Sequence, residues 1–342
     1  MRVFISNFST SLLLTVAAVV IAAVLLGPAA AVTTLILIAI EIAFSFDNAI
    51  INAKILARLS PAWQKAFLTI GMVIAIVGMR FVFPILIVMV TAHLPWGQVL
   101  QYALHDPKRY AENLEKAHTS ISAFGGSFLL TLALYFLFDD SRKELWLARI
   151  ERPLQRIGGS FWLPPVLAAA IVGGVGLAHG GTEALRAGLL GVVSYALING
   201  FIHVLGRLSG DTGGSAKYTG WSAFLAFMYL QVLDASFSFD GVLGAFAITD
   251  KIVLIALGLG VGALWVRSLT VYMVKKGTLE EYIYLEHGAH YAIFTLAAAL
   301  LLSLFIHVPD AITGLVGLGV IGASFHASLQ ARRARGRQPK RK

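Results

Sequence analysis

The sequence predicts an all-α polytopic transmembrane bundle of about ten spans, built as two inverted-topology five-helix repeats. Three observations predict it. The chain is 58% hydrophobic and only 13% charged, about half the charged fraction of a soluble domain. Apolar stretches of the ~20 residues needed to cross a bilayer recur from end to end. The tetrapeptide Phe-Ser-Phe-Asp occurs twice, at Phe44–Asp47 and Phe237–Asp240, each time inside such a stretch and each time with an acid six residues before its own aspartate, Glu41 and Asp234.

The spans lie near 9–29, 33–56, 64–91, 119–138, 162–179, 184–206, 219–248, 251–274, 288–306 and 309–328. The first could pass for a secretory leader, with Arg2, the apolar run to Leu26 and small residues at Ala29 to Ala31. One basic residue ahead of it and an apolar pattern that resumes at once argue for a retained span. Twenty of the 27 Lys and Arg fall in connections on one side, five on the other, and Arg80 and Arg267 within spans. By the positive-inside rule both termini of this multi-pass chain are cytoplasmic.

The net charge of +9 is therefore a topology signal and not a nucleic-acid footprint. Seven basic residues crowd Arg332 to Lys342, a tail at 329–342 suited to anionic lipid. Cysteine is absent, so any metal ligands are oxygen or nitrogen. Between the fourth and fifth spans, Leu145, Trp146, Arg149, Ile150 and Leu154 fall at near-helical spacing among charges, the pattern of a helix lying in the cytoplasmic interface. Pro153 limits its length. Gly206 to Gly220 reads as a flexible joint. Its glycines lack the spacing of a phosphate loop.

The first repeat covers 1–159 with its interfacial helix and is completed by the fifth span at 162–179; the second covers 184–328. Five spans is an odd number, so the second repeat enters the membrane upside down. The first Phe-Ser-Phe-Asp is in span 2 and the second in span 7. Arg80 and Arg267 each fall about sixteen residues into spans 3 and 8, and His118 and His287 close matching hydrophilic segments. Such repeats place a substrate site near the midplane at the repeat interface.

Buried carboxylates at that depth cost at least ~2.5 kcal/mol each and need a reason. On an ideal helix Glu41, Ser45, Asn48 and Asn52 share a face, while Asp47 points about 120° from Glu41. If both acids bind one ligand, the helix breaks near Ser45 to Asn48. Otherwise one acid of each pair is a ligand and the other pairs with an arginine. The acids Glu41, Asp47, Asp234 and Asp240 exceed Arg80 and Arg267 by two charges, the deficit that one divalent cation or two protons would fill. With Ser45, Ser238 and Asn48 they offer oxygens that suit Mn²⁺, Mg²⁺ or Ca²⁺. The bland reading makes the acids mere partners of the arginines; four acids outnumber two arginines. Interfacial His118, His287 and His290 read as structural. His203 and Asn199 share a face that could border a vestibule. Gly71 and Gly78, and Gly258 and Gly262, read as points of close helix approach. No zinc-protease or serine-hydrolase pattern is present, so no enzyme and no prosthetic group are expected.

At these residues the chain resembles the TerC/Alx family of integral membrane proteins. The run Glu41-Ile-Ala-Phe-Ser-Phe-Asp47-Asn48-Ala, Gly78-Met-Arg80 with Phe83-Pro84-Ile85-Leu86-Ile87, and Asp234 to Asp240 with Arg267 carry the resemblance. So does Phe124-Gly125-Gly126-Ser127-Phe128-Leu129-Leu130 with Phe138-Asp139-Asp140. It spans residues 35 to 305. It implies metal-ion homeostasis, chiefly Mn²⁺ efflux, with Glu41, Asp47, Asn48, Asp234 and Asp240 carrying the family pattern. This chain departs in having Phe46, Phe239 and, opposite Asn48, Gly241. The resulting expectation is a divalent-cation exporter in which four acids hold the ion and Arg80 and Arg267 hold the empty site together. An exporter of an amino acid or small organic solute, and a non-transport membrane scaffold, are the alternatives.

Overall fold

The computed structural model describes residues 2–179, 181–208, 217–246, 248–249 and 251–336, and within them the chain is helical without a named strand. Every predicted apolar stretch coincides with helix. They are α1 (Arg2–Leu26), the pair α2 (Pro28–Phe44) and α3 (Phe46–Arg58), and a run of α4 (Pro61–Leu68), α5 (Ile70–Val73), a π-helical segment (Ile74–Val82) and α6 (Phe83–Ala92). After two short helices, α7 (Trp96–His105) and α8 (Pro107–Lys116), come α9 (His118–Leu137), α10 (Ala148–Ile157), α11 (Leu163–His179) and α12 (Thr182–Leu208). The chain ends with α13 (Gly220–Phe246), α14 (Ile252–Lys276), α15 (Thr278–Glu281), α16 (Leu285–Leu302) and α17 (Asp310–Gly336).

Among the described residues, seven helices are long and apolar enough to cross a membrane, or eight with α2 and α3 as one bent span. This is a multi-pass membrane protein. Ten stretches were expected, and two are not among these. α11 has 17 residues, under the ~20 a bilayer needs. α13 has the length and includes positions 236–240, whose side chains lie outside the described residues. Between spans 4 and 5, where an interfacial helix was expected, the chain forms the helix α10.

The chain forms two compact units, each drawing on both halves of the sequence: residues 1–121 with 200–272, and 122–199 with 273–342. In the first, Leu37, Ile85, Val88, Leu114, Val242 and Leu259 form a dry core. Gly27 at φ 95° lets α1 turn into α2, with Pro28 in the first turn where its missing N–H costs nothing. Gly258 and Gly262 bring α14 against α2: a Cβ at either would lie 2.4 Å from Leu37 Cβ or 2.5 Å from Glu41 Cβ. Gly71 likewise sits under the Arg267 guanidinium, whereas a Cβ on Gly78 would meet, among the described residues, Ile74 of its own turn. α7 and α8 were not expected. Both are amphipathic and bury Val99, Ala103, Tyr110 and Leu114 in this core, and Asp106 caps α8 by accepting the Arg109 N–H.

In the second unit α16 packs on α17, with the Ser324 side chain seated against Gly288. His287 and His290, expected at a wet span end, are buried. His287 reaches the Glu144 carbonyl at 2.9 Å. His203 and the middle of the Gly206 to Gly220 joint lie outside the residues whose side chains or backbone are described.

Candidate functional site

The site lies wholly in the first unit and begins at a break. Ser45 adopts φ −101°, ψ 17° between α2 and α3, and the two helices diverge by 53°. The sequence offered a break as the way both acids of the first motif could serve one site, and the break falls at Ser45. The backbone is not left wanting: Ser45 N–H donates to the Glu41 carbonyl at 3.0 Å, and Ala49 N–H to the Ser45 carbonyl at 3.1 Å. The Ser45 hydroxyl donates to Glu41 Oε1 at 3.2 Å. Asp47 stands in the first turn of α3 and accepts the Asn48 N–H at 2.8 Å. There a carboxylate satisfies an otherwise unpaired donor and faces the positive end of the helix dipole.

Glu41 is 3% exposed and pairs with Arg80 through Oε1 and Nη2. Arg80 belongs to the π-helical segment, where it also donates Nη1 to the Ala75 carbonyl at 2.6 Å. Wide turns of this kind are rare and recur at functional sites. On the far side of Glu41 stand two glycines. Gly262 gives room to its stem, and a Cβ on Gly241 would lie 3.3 Å from Oε2. The departure from the first motif at Gly241, where Asn48 has its counterpart, thus has a steric reason: the Glu41 carboxylate occupies that space.

The second motif meets the first through Asp234, whose Oδ1 accepts from Asn48 Nδ2 at 2.9 Å. Beside them is a cavity with space for about one water molecule, ≈10 Å³. Ser45, Asn48, Asn52, Asp234, Arg267 and Thr270 line it together with Arg80. Among the described residues three buried oxygens on these walls have no hydrogen-bond partner: Asn48 Oδ1, Asn52 Oδ1 and Asp234 Oδ2. Arg80 Nε and both polar atoms of the Gln231 amide are also unpartnered. Each orphaned group costs about 1–3 kcal/mol, so a cluster of them asks for a ligand. Arg267 does not repeat the role of Arg80. Its guanidinium donates to the Phe67 carbonyl and lies 3.8 Å over the Phe67 ring.

The structure therefore gathers Glu41 with Ser45 and Arg80, and Asn48 with Asp234, while Asp47 is turned to the start of α3. The side chains of Ser238 and Asp240 lie outside the described residues. Among the described residues no three of His, Cys, Asp and Glu stand together as metal ligands would; the convergent oxygens are amide, hydroxyl and one carboxylate. Sequence reasoning placed Asn52 on the Glu41 face without giving it a role, and passed over Gln231 and Thr270. The available signal was an amide one turn beyond Asn48, and another nearly one turn before Asp234, both in apolar helices.

A family model described as Protein of unknown function (DUF475) matches residues 46–335, most of the chain, beginning at the residue after the break. No curated protein and no solved structure matches it.

Proposed function

We propose that this chain, which belongs to the DUF475 family, is a membrane transporter that exports a divalent metal cation, Mn²⁺, across the bacterial inner membrane with both termini in the cytoplasm. The observation that carries the reading is the trio of unpartnered buried oxygens, Asn48 Oδ1, Asn52 Oδ1 and Asp234 Oδ2, beside a helix broken at Ser45. Discontinuous helices that expose polar groups at membrane depth are how secondary transporters build ion sites. Hard oxygens without sulfur favour Mn²⁺, Mg²⁺ or Ca²⁺ over Cu⁺ or Zn²⁺, and the resemblance to TerC/Alx supports Mn²⁺ among these.

In this reading Asp234 supplies charge, and Asn48, Asn52 and Ser45 supply neutral oxygens. Glu41 and Asp47 flank the break, where movement of α3 against α2 would bring them to the ion, and Asp240 adds the second motif's carboxylate. Arg80 and Arg267 hold the site while no cation is present. Exchange between inward and outward states would follow from the two inverted repeats, with protons as counter-ions on the crowded acids.

The test is Mn²⁺ flux in proteoliposomes containing the purified full chain. Asp234→Asn and Asp47→Asn each lower flux more than tenfold while the variants remain folded by size-exclusion chromatography. Flux at the wild-type rate in both ends the proposal. The rival solute exporter draws on Arg267, which among the described residues has no ion-pair partner. Unchanged cellular Mn and Mg with altered amino-acid efflux in a deletion strain would select it.

A further inference from the structure

Away from that site, in the second unit, Glu151 is fully buried although it lies in α10, a ten-residue helix rich in arginine. Its carboxylate accepts the Leu147 N–H at 3.0 Å and the Tyr291 hydroxyl at 3.2 Å. Arg142 Nη1 and His287 Nε2 each stand 3.4 Å from Oε2. Burial alone would raise this carboxyl's pKa, but the contact with His287, the Leu147 N–H and the Arg142 charge hold it below the ordinary value. The acid is thus a fixed peg: it sets the rotation of α10 against α16.

What that rotation leaves outward follows from helical spacing. Arg149, Arg152 and Arg156 recur at i, i+3, i+7 and are all exposed. Beside them runs an apolar strip, Ile150 at 52% and Ile157 at 65% exposure, with Pro153 between. The only acid of the helix is the buried one, so its outer surface is three guanidinium groups and an apolar edge with no compensating carboxylate. Among the described residues none of the three arginines is in an ion pair. The helix sits between the ends of two apolar helices, α9 and α11, and Trp162, 66% exposed, follows it at the start of α11. Tryptophan concentrates at the level of lipid headgroups.

We infer that α10 is a preorganised binding surface for anionic phospholipid, its isoleucines dipping below the headgroups and Arg149, Arg152 and Arg156 gripping their phosphates. The burial of Glu151 makes it one: an exposed acid at that position would cancel a third of the charge. Guanidinium forks pair with phosphate oxygens two at a time, and the apolar strip beside them matches a bilayer edge and not a soluble anion. The surface is held by the fold through the buried contacts of Glu151.

The experiment titrates the detergent-purified full chain with phosphatidylglycerol or phosphatidylcholine and counts bound lipids by native mass spectrometry. Inorganic phosphate serves as the soluble competitor. Wild type retains phosphatidylglycerol at least tenfold more tightly than phosphatidylcholine. R149Q/R152Q/R156Q weakens it by roughly a hundredfold, three charges at the usual surface contribution, and I150S/I157S weakens both lipids together. R332Q/R333Q, at the end of α17, leaves the preference intact. Equal retention by wild type and the α10 triple variant overturns the inference. So does loss of the preference in R332Q/R333Q alone, or displacement of lipid by millimolar phosphate. A triple variant that does not fold is replaced by single R152E, for which at least a tenfold loss is expected and an unchanged preference has the same overturning force.

Discussion

The two copies of Phe-Ser-Phe-Asp share a sequence and not a conformation. At the first, the chain breaks at Ser45 and α2 diverges from α3 by 53°; through the second, α13 runs on as one helix from Gly220 to Phe246. The difference lies in what each copy meets. Glu41, before the first, is pinned by Arg80 from a π-helical turn and by the Ser45 hydroxyl. Asp234, before the second, has one oxygen on Asn48 and the other without a hydrogen-bond partner among the described residues. The two copies share four residues and an acid spacing; their partners made the first a rigid ion pair and the second an open site. The same holds for the arginines. Arg80 neutralises a carboxylate, and Arg267 spends its charge on a carbonyl and a ring.

The largest effect that could break this comparison is removal of one partner of the buried pair. Glu41→Gln strands the Arg80 guanidinium in a dry setting and costs about 3–5 kcal/mol, read as a fall in detergent-resistant folded protein on heating. Adding Arg80→Met recovers a large part of that loss. Arg267→Met removes the bond to the Phe67 carbonyl and the ring contact, breaks no ion pair as close as that of Arg80, and costs about 1–3 kcal/mol. Equal losses at Arg80 and Arg267 would mean that the two arginines are equivalent after all.

A smaller effect separates the two glycines around Glu41. Gly262→Ala drives a methyl to 2.5 Å from the Glu41 stem, with the Ile38 carbonyl 3.2 Å behind, and destabilises by about 2–3 kcal/mol through overpacking. Gly241→Ala meets only the movable Oε2 at 3.3 Å and costs less than ~1 kcal/mol. Its consequence is functional: it tightens the space around a carboxylate that the proposed ion must share. Thermal unfolding of both variants ranks them, and the reverse order would show that α2 and α14 are not closely apposed at Glu41.

Much of this was legible beforehand. Hydropathy and length found every long helix, because membrane helices bury their own backbone polar groups and need only apolar side chains. The break at Ser45 was legible as a condition, since Glu41 and Asp47 point about 120° apart on an unbroken helix. The π-helical turn around Arg80 was not, because hydropathy is blind to whether an N–H reaches back four residues or five. α7 and α8 escaped for a different reason: ten-residue amphipathic helices with charged faces look like a connection until the core that takes Tyr110 and Leu114 is known. The asymmetry of Asp234 and Glu41 escaped too, for matched spacing says nothing of which partner arrives.

The finest contrast is between Asp234, half-partnered in the first unit, and Glu151, satisfied on both oxygens in the second. A carboxyl held below its ordinary pKa in the folded protein contributes stability that is complete above the unfolded value, about 4.3, and is lost as pH falls through the folded value. Glu151 therefore adds no pH dependence between about 7 and 5. Glu151→Gln lowers stability by about 1 kcal/mol there, the net of its hydrogen bonds, and the gap to wild type closes only as the solution is acidified below about pH 4. Melting curves of the two proteins across that range measure the gap. If it instead widened on acidification, the folded carboxyl would sit above its ordinary pKa. Burial would then outweigh the contacts with His287 and Arg142.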